Sequence, residues 1–147
     1  QKNALDPGEF VQGIRVPLPV PERRFRTYKL SKRFDQDISA VCAAFALLLD
    51  GDTVRSAHIA FGGLAATPKR AAQAERALEG KCWNEANARL AMEALRGDYA
   101  PLSDMRASSA YRATAAQNLL YRFFLETRPE APLALPQLSV FAAGAEA

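Results

Sequence analysis

The sequence predicts an α+β fold: an antiparallel sheet of about four strands with a bundle of three helices on one of its faces. Three observations lead there. Extended patterns punctuated by proline and glycine fill the first half of the chain, and stretches with helical spacing and cap residues fill the second. Strands first and helices after is the order of an α+β fold. The 147 residues are 49% hydrophobic and 24% charged, enough for one domain with a buried core and no disulfide or metal staple.

The elements follow in order. Asp6-Pro7-Gly8 signals a turn, and Phe10, Ile14 and Val16 then fall on one alternation phase, so Glu9 to Val16 reads as a half-buried strand. Pro17, Pro19 and Pro21 end it, because proline has no amide hydrogen for a sheet ladder. A second strand runs from Arg24 to Leu30, with Phe25 and Thr27 facing away from Arg24, Arg26 and Tyr28. In Ile38 to Leu49 the alanines favour helix, while Val41, Phe45 and the following Asp50-Gly51-Asp52 favour a strand entering a tight hairpin. The hairpin is preferred, with Val54, Ala57, Ile59 and Phe61 on the return strand and Gly62-Gly63 ending it.

Thr67-Pro68 predicts the first helix start, with a hydroxyl that caps and a proline at the first position; Gly80 stops that helix. Asn84 caps a second helix, closed by Gly97. A third begins near Ser108 and ends before Pro129. Tyr111, Ala115, Leu119 and Phe123 share one face of it, beside Ala116, Leu120 and Phe124. Residues 1–128 form the expected domain; 129–147 form an Ala/Pro-rich tail, mobile or docked on a neighbour.

Composition narrows the chemistry. Cys42 and Cys82 stand forty positions apart beside a single histidine, His58, too few ligands at short spacing for zinc or an iron–sulfur cluster; they are expected as two buried thiols in a reducing cytoplasm. The apolar run Ala40–Leu49 is about half the length of a membrane span, and Gln1 to Ala4 lacks a signal peptide's apolar stretch. The chain opens without Met, as a piece of a longer protein could. Arg23, Arg24, Arg26, Lys29, Lys32 and Arg33 crowd into eleven residues of a chain whose net charge is +3. Such a run could meet phosphates of nucleic acid or of a nucleotide cofactor, or form the solvated face of a strand, the preferred reading. The interleaved aromatics of a nucleic-acid stacking platform are missing from it, so no nucleic acid and no membrane are expected as partners.

No glycine-rich phosphate loop, nucleophile elbow or metal-ligand spacing occurs, and no residue is assigned a catalytic role or a metal. His58 reads as an ordinary sheet residue. Asp35 and Asp37 could hold a cation, or flank a turn and neutralise the basic run, which is preferred. Trp83 is expected to anchor the connection between helices.

Three blocks are specific. Phe25-Arg26-Thr27-Tyr28-Lys29-Leu30-Ser31-Lys32-Arg33-Phe34-Asp35-Gln36-Asp37-Ile38-Ser39 resembles a segment of xanthine dehydrogenase flavoproteins: an aromatic-Lys pair, a short basic stretch, acidic residues and Ile. Ala60-Phe61-Gly62-Gly63-Leu64-Ala65-Ala66-Thr67-Pro68-Lys69-Arg70-Ala71 and Pro101-Leu102-Ser103-Asp104-Met105-Arg106-Ala107-Ser108-Ser109-Ala110-Tyr111-Arg112 match in the same order. The resemblance implies the carbon monoxide dehydrogenase flavoprotein C-terminal domain, with bacterial xanthine dehydrogenase small subunits most alike; aldehyde oxidase and carbon monoxide dehydrogenase types stay open. It implies FAD held between this domain and a preceding one that supplies the phosphate loops. Molybdopterin and 2Fe-2S centres in other domains and a large molybdenum subunit would send electrons through FAD to NAD. By the same resemblance Lys29 lies near the flavin ring, Val11 stands where the family packs an apolar residue against it, and Arg33, Asp35, Gln36 and Asp37 border nicotinamide access.

Overall fold

The computed structural model describes residues 5–33 and 37–138. Strands β1 (Arg23–Leu30), β2 (Val41–Asp50), β3 (Thr53–Gly62) and the two-residue β4 (Lys69–Arg70) form an antiparallel sheet in the order β1-β2-β3-β4. Helices α1 (Ala72–Leu78), α2 (Glu85–Asp98) and α3 (Ser109–Thr127) follow. The predicted α+β class and the disputed hairpin both hold. β2 alternates because one of its faces lies against the helices: Val41, Ala43, Phe45, Leu47 and Leu49 are buried, and the residues between them are only half-buried. On β3 the buried members step from Val54 to Ala57, which breaks alternation. A bulge repairs the phase: Leu48 pairs with Ser56 and Leu49 with Val54, leaving Arg55 as the extra residue.

The core centres on Phe45. Its ring stacks on Phe123 of α3 at 5.0 Å and meets Phe61 edge-on at 5.5 Å. Each such ring contributes about 1.5–3 kcal/mol by burial. Trp83 anchors the α1–α2 connection as expected, its indole N–H donating to Thr127 Oγ1 (3.1 Å) and its ring packing on Phe123 and Phe124.

Several expectations are corrected. Glu9–Val16 is not a strand: Phe10, Val11, Ile14 and Val16 are 68–84% exposed. Alternation makes a strand only where a neighbour supplies the ladder and a layer to bury against, and among the described residues this segment has neither. The fourth strand is β4 instead, where Lys69 and Arg70 pair with Phe61 and Ala60. That pairing displaces the first helix start from Thr67-Pro68 to Ala72, and Ala71 offers no side-chain cap. The cap comes from Asp98, whose carboxylate accepts the amide hydrogens of Gln73 and Ala74. Asn84 caps α2 as predicted, accepting from the Asn87 amide, and α3 begins at the predicted place, with Ser108 as its cap accepting from the Tyr111 amide. Gly97 lies inside the last turn of α2 rather than closing it, and Tyr111 is exposed while Ala115, Leu119 and Phe123 of its predicted face are buried. In the tail, Leu133 donates its amide hydrogen to Leu125 and a 3₁₀ turn covers Leu135–Leu138. The cysteines are free but not both buried: Cys82 is exposed in the turn before α2, and Cys42 is half-buried.

Candidate functional site

The sheet face away from the helices is the surface on which the predicted site residues can be judged. Strand register arranges it in rows: Arg23, Leu48 and Ser56; Phe25, Ala46 and His58; Thr27, Ala44 and Ala60; Lys29, Cys42 and Gly62. Neighbouring strands lie about 4.8 Å apart, so the small side chains of Cys42, Ala44, Ala60 and Gly62 make a continuous low shelf. The shelf is close to its limit of flatness at Gly62, where a Cβ would come within 2.6 Å of Cys42 Sγ. Lys29 stands exposed at one end of the shelf, and among the described residues it makes no ion pair. Phe25, 53% exposed, flanks the other end, where the Val16–Pro19 segment roofs a groove of about 620 Å³.

Beyond the Lys29 end, Ser31 and Lys32, Ile38 and Ser39, the Gly62-Gly63 corner and the 101–107 loop converge. Lys32 Nζ donates to the Met105 carbonyl at 2.7 Å. Arg112, from the first turn of α3, donates to the carbonyls of Ala40 and Gly63 and to Asp104 Oδ1. The amides of Arg106 and Ala107 also donate to Asp104 Oδ1. The Arg106 amide, then the Arg112 guanidinium and the Ala107 amide, hold the Asp104 carboxyl down at about 2.

The predicted residues distribute unevenly around this face. Lys29 is on it. Val11 is exposed but belongs to the segment before β1, outside the sheet, and is not among the residues that line the groove. Arg33 and Asp37 form one local unit: Asp37 accepts the Arg33 amide at 3.1 Å and its guanidinium at 3.3 Å, and the Arg33 side chain holds the carboxyl below its usual range. Asp37 thus neutralises the end of the basic run, as preferred from the sequence. Asp35 and Gln36 lie outside the described residues. The basic run divides between faces: Arg23 and Lys29 point to the open side, while Arg26 reaches Glu126 of α3 at 3.1 Å, the arrangement of a solvated strand. His58 sits in mid-strand, exposed on the open face. Among the described residues no group of three or more His, Cys, Asp or Glu could hold a metal.

Sequence reasoning missed the shelf and the Arg112–Asp104 pair. The shelf had a signal, since Ala44, Ala46 and Ala60 occupy one alternation phase of strands whose other phase is large and apolar. Arg112 had none beyond its place in the third block.

The fold is a two-layer α+β arrangement with its helices on one face of the sheet; among the described residues the small-residue face carries only the Val16–Pro19 segment, over one end. The chain belongs to the family of CO dehydrogenase flavoprotein C-terminal domains, whose family model matches residues 26–127. It is 35% identical over 131 residues to a nicotinate hydroxylase of Emericella nidulans, a match covering 84% of this chain and 10% of that protein. A xanthine dehydrogenase from the same organism is 33% identical over 128 residues, covering 84% of this chain and 9% of its own length. A solved carbon monoxide dehydrogenase from Hydrogenophaga pseudoflava, lacking the Mo-pyranopterin moiety of its molybdenum cofactor, superposes with a TM-score of 0.67 at 27% identity, over 73% of this chain and 37% of that one. These relatives are oxidoreductases, and the chain spans far less than two thirds of each.

Proposed function

We propose that this domain is the C-terminal part of a FAD-bearing oxidoreductase of the molybdenum hydroxylase type, and that its open sheet face closes one side of the flavin site. The observation that carries the reading is the shelf of Cys42, Ala44, Ala60 and Gly62 with Lys29 at its end. A planar ring needs a flat surface, and small side chains let it approach the sheet closely. The shelf fits on both counts. FAD, when bound, would supply two-electron chemistry, accepting electrons relayed from molybdenum through iron–sulfur centres and delivering hydride to NAD. Lys29 holds a positive charge where it favours the build-up of negative charge on a neighbouring ring system, an interaction that gains strength as water is excluded. Val11 and the 33–37 segment would add an apolar contact and a charged border to the same site. The phosphates of the cofactor would be held by a preceding domain, with iron–sulfur and molybdenum partners beyond it. Among the oxidoreductases of this type we favour the xanthine dehydrogenase, on the three sequence blocks.

The test is Lys29→Met in the holoenzyme. The expected result is intact folding with an altered flavin absorption spectrum and flavin reduction or NAD turnover slowed about 10-fold or more. Unchanged spectrum, flavin affinity and rates would remove Lys29 from the site.

A further inference from the structure

Arg112 is 4% exposed, yet its guanidinium serves three separate stretches of chain besides its own helix. It rises from the first turn of α3 and donates to the carbonyl of Ala40 at the mouth of β2, to the carbonyl of Gly63 just past β3 (2.8 Å) and to Asp104 in the 101–107 loop (2.6 Å). Asp104 in turn accepts the Arg106 and Ala107 amides at 2.8 and 3.1 Å, and Ser103 Oγ accepts the Ser109 amide at 2.8 Å, so the buried cation holds the loop through the carboxylate on which its turn closes. Gly63 makes the close approach possible: at φ +86° its backbone suits glycine, and a Cβ would stand 2.5 Å from the Ala40 carbonyl oxygen and 3.0 Å from the guanidinium. The result is a pocket of about 390 Å³ whose walls include Ser39, Cys42, Gly62, Leu102, Arg106 and Arg112. Cys42 and Gly62 share a row with Lys29.

We propose that Arg112 is a positioning residue for the cofactor edge: it fixes the 101–107 loop and the start of β2 as opposite walls beside the Lys29–Cys42–Gly62 row, and so sets the gap through which a second reactant reaches that edge. The inference rests on the flavin reading above. The guanidinium is needed for its geometry as well as its charge. Two carbonyls and a carboxylate are served at once by its planar fork, which an ammonium on a single stem cannot reproduce. Lys32, donating to the Met105 carbonyl at 2.7 Å, ties the same loop to the chain just past β1.

The experiment compares Arg112→Lys, Asp104→Asn and Lys29→Met in the holoenzyme. It reads flavin content, the visible circular dichroism of bound flavin, amide exchange at Arg106 and Ala107, and the KM and kcat for the electron acceptor. Arg112→Lys and Asp104→Asn are expected to keep their flavin and speed exchange of both amides. They should change the flavin dichroism and raise the acceptor KM about 10-fold with kcat within about twofold. Should Arg112→Lys fail to fold, Asp104→Asn, whose side chain is partly exposed, carries the comparison. Faster exchange with unchanged dichroism and unchanged KM would leave Arg112 a merely structural clamp and overturn the proposal. If Lys29→Met also leaves the flavin signal unmoved, the flavin reading falls and takes this inference with it; a response to Lys29→Met alone sinks only the role of Arg112.

Discussion

Asp98→Ala isolates the interaction that replaces a local helix cap with a tertiary one. The Asp98 carboxylate, at the end of α2 and buried, accepts the Gln73 amide hydrogen at 2.9 Å and 3.1 Å through its two oxygens, and the Ala74 amide hydrogen at 3.0 Å. Those amides open α1, whose own N-cap residue, Ala71, supplies no side-chain acceptor. Truncation removes the cap: the Ala74 amide, which is buried, loses its acceptor at about 1–3 kcal/mol, and the Gln73 amide, on an exposed residue, at about 1 kcal/mol. A net loss of about 3 kcal/mol, or about 10 °C in Tm for a domain of this size, is expected. Asp98→Asn keeps one carbonyl oxygen as acceptor and should lose less than half as much. Urea denaturation of the wild type and both variants, monitored by Trp83 fluorescence, gives the differences directly. A loss for Asp98→Ala below about 0.5 kcal/mol, the range of a neutral surface change, would refute the view that α1 is capped from α2.

Glu75 plays a comparable part at the sheet edge, accepting the Ile59 amide at 2.7 Å and two Arg70 N–H groups at 2.8 Å; Glu75→Ala should cost about 2–3 kcal/mol in the same denaturation assay, and Glu75→Gln less. The Asp104 carboxyl is depressed to about 2, below its unfolded value of about 3.9, so its contribution is full above that unfolded value and is lost as pH falls toward 2. The stability-against-pH curve of Asp104→Asn, followed by urea midpoints between about pH 5 and pH 2, should therefore be flatter than that of the wild type. Ala60→Trp places a large ring on the shelf but outside the core; thermal stability of the chain should change by no more than about 0.5 kcal/mol, while flavin loading of the holoenzyme falls, measured as flavin absorbance per protein. The 147-residue chain alone should bind FAD weakly in equilibrium dialysis, because the proposed phosphate contacts lie on a preceding domain.

The sequence by itself determined the α+β order, the β2–β3 hairpin, the cap at Asn84 and the start of the third helix near Ser108. All of these are written in short-range terms: alternation, a turn dipeptide, an amide oxygen three residues before the N–H it serves. The three blocks also carried the family, and Lys29 was singled out through that resemblance; the strand register puts it on the open face with Phe25 and Thr27. Only the tertiary structure decided the rest. Thr67-Pro68 looked like a helix start and was overruled, since pairing of Lys69 and Arg70 with β3 and a carboxylate from residue 98 outweigh a local cap. Glu9–Val16 alternates like a strand but has no strand to pair with among the described residues. The shelf exists because strand register sets Cys42 beside Gly62 and Ala44 beside Ala60, and the Arg112–Asp104 clamp because α3 begins next to the mouth of β2. Contacts between separate elements of the chain leave no periodic trace in a sequence; they become visible only when the chain is closed around its core.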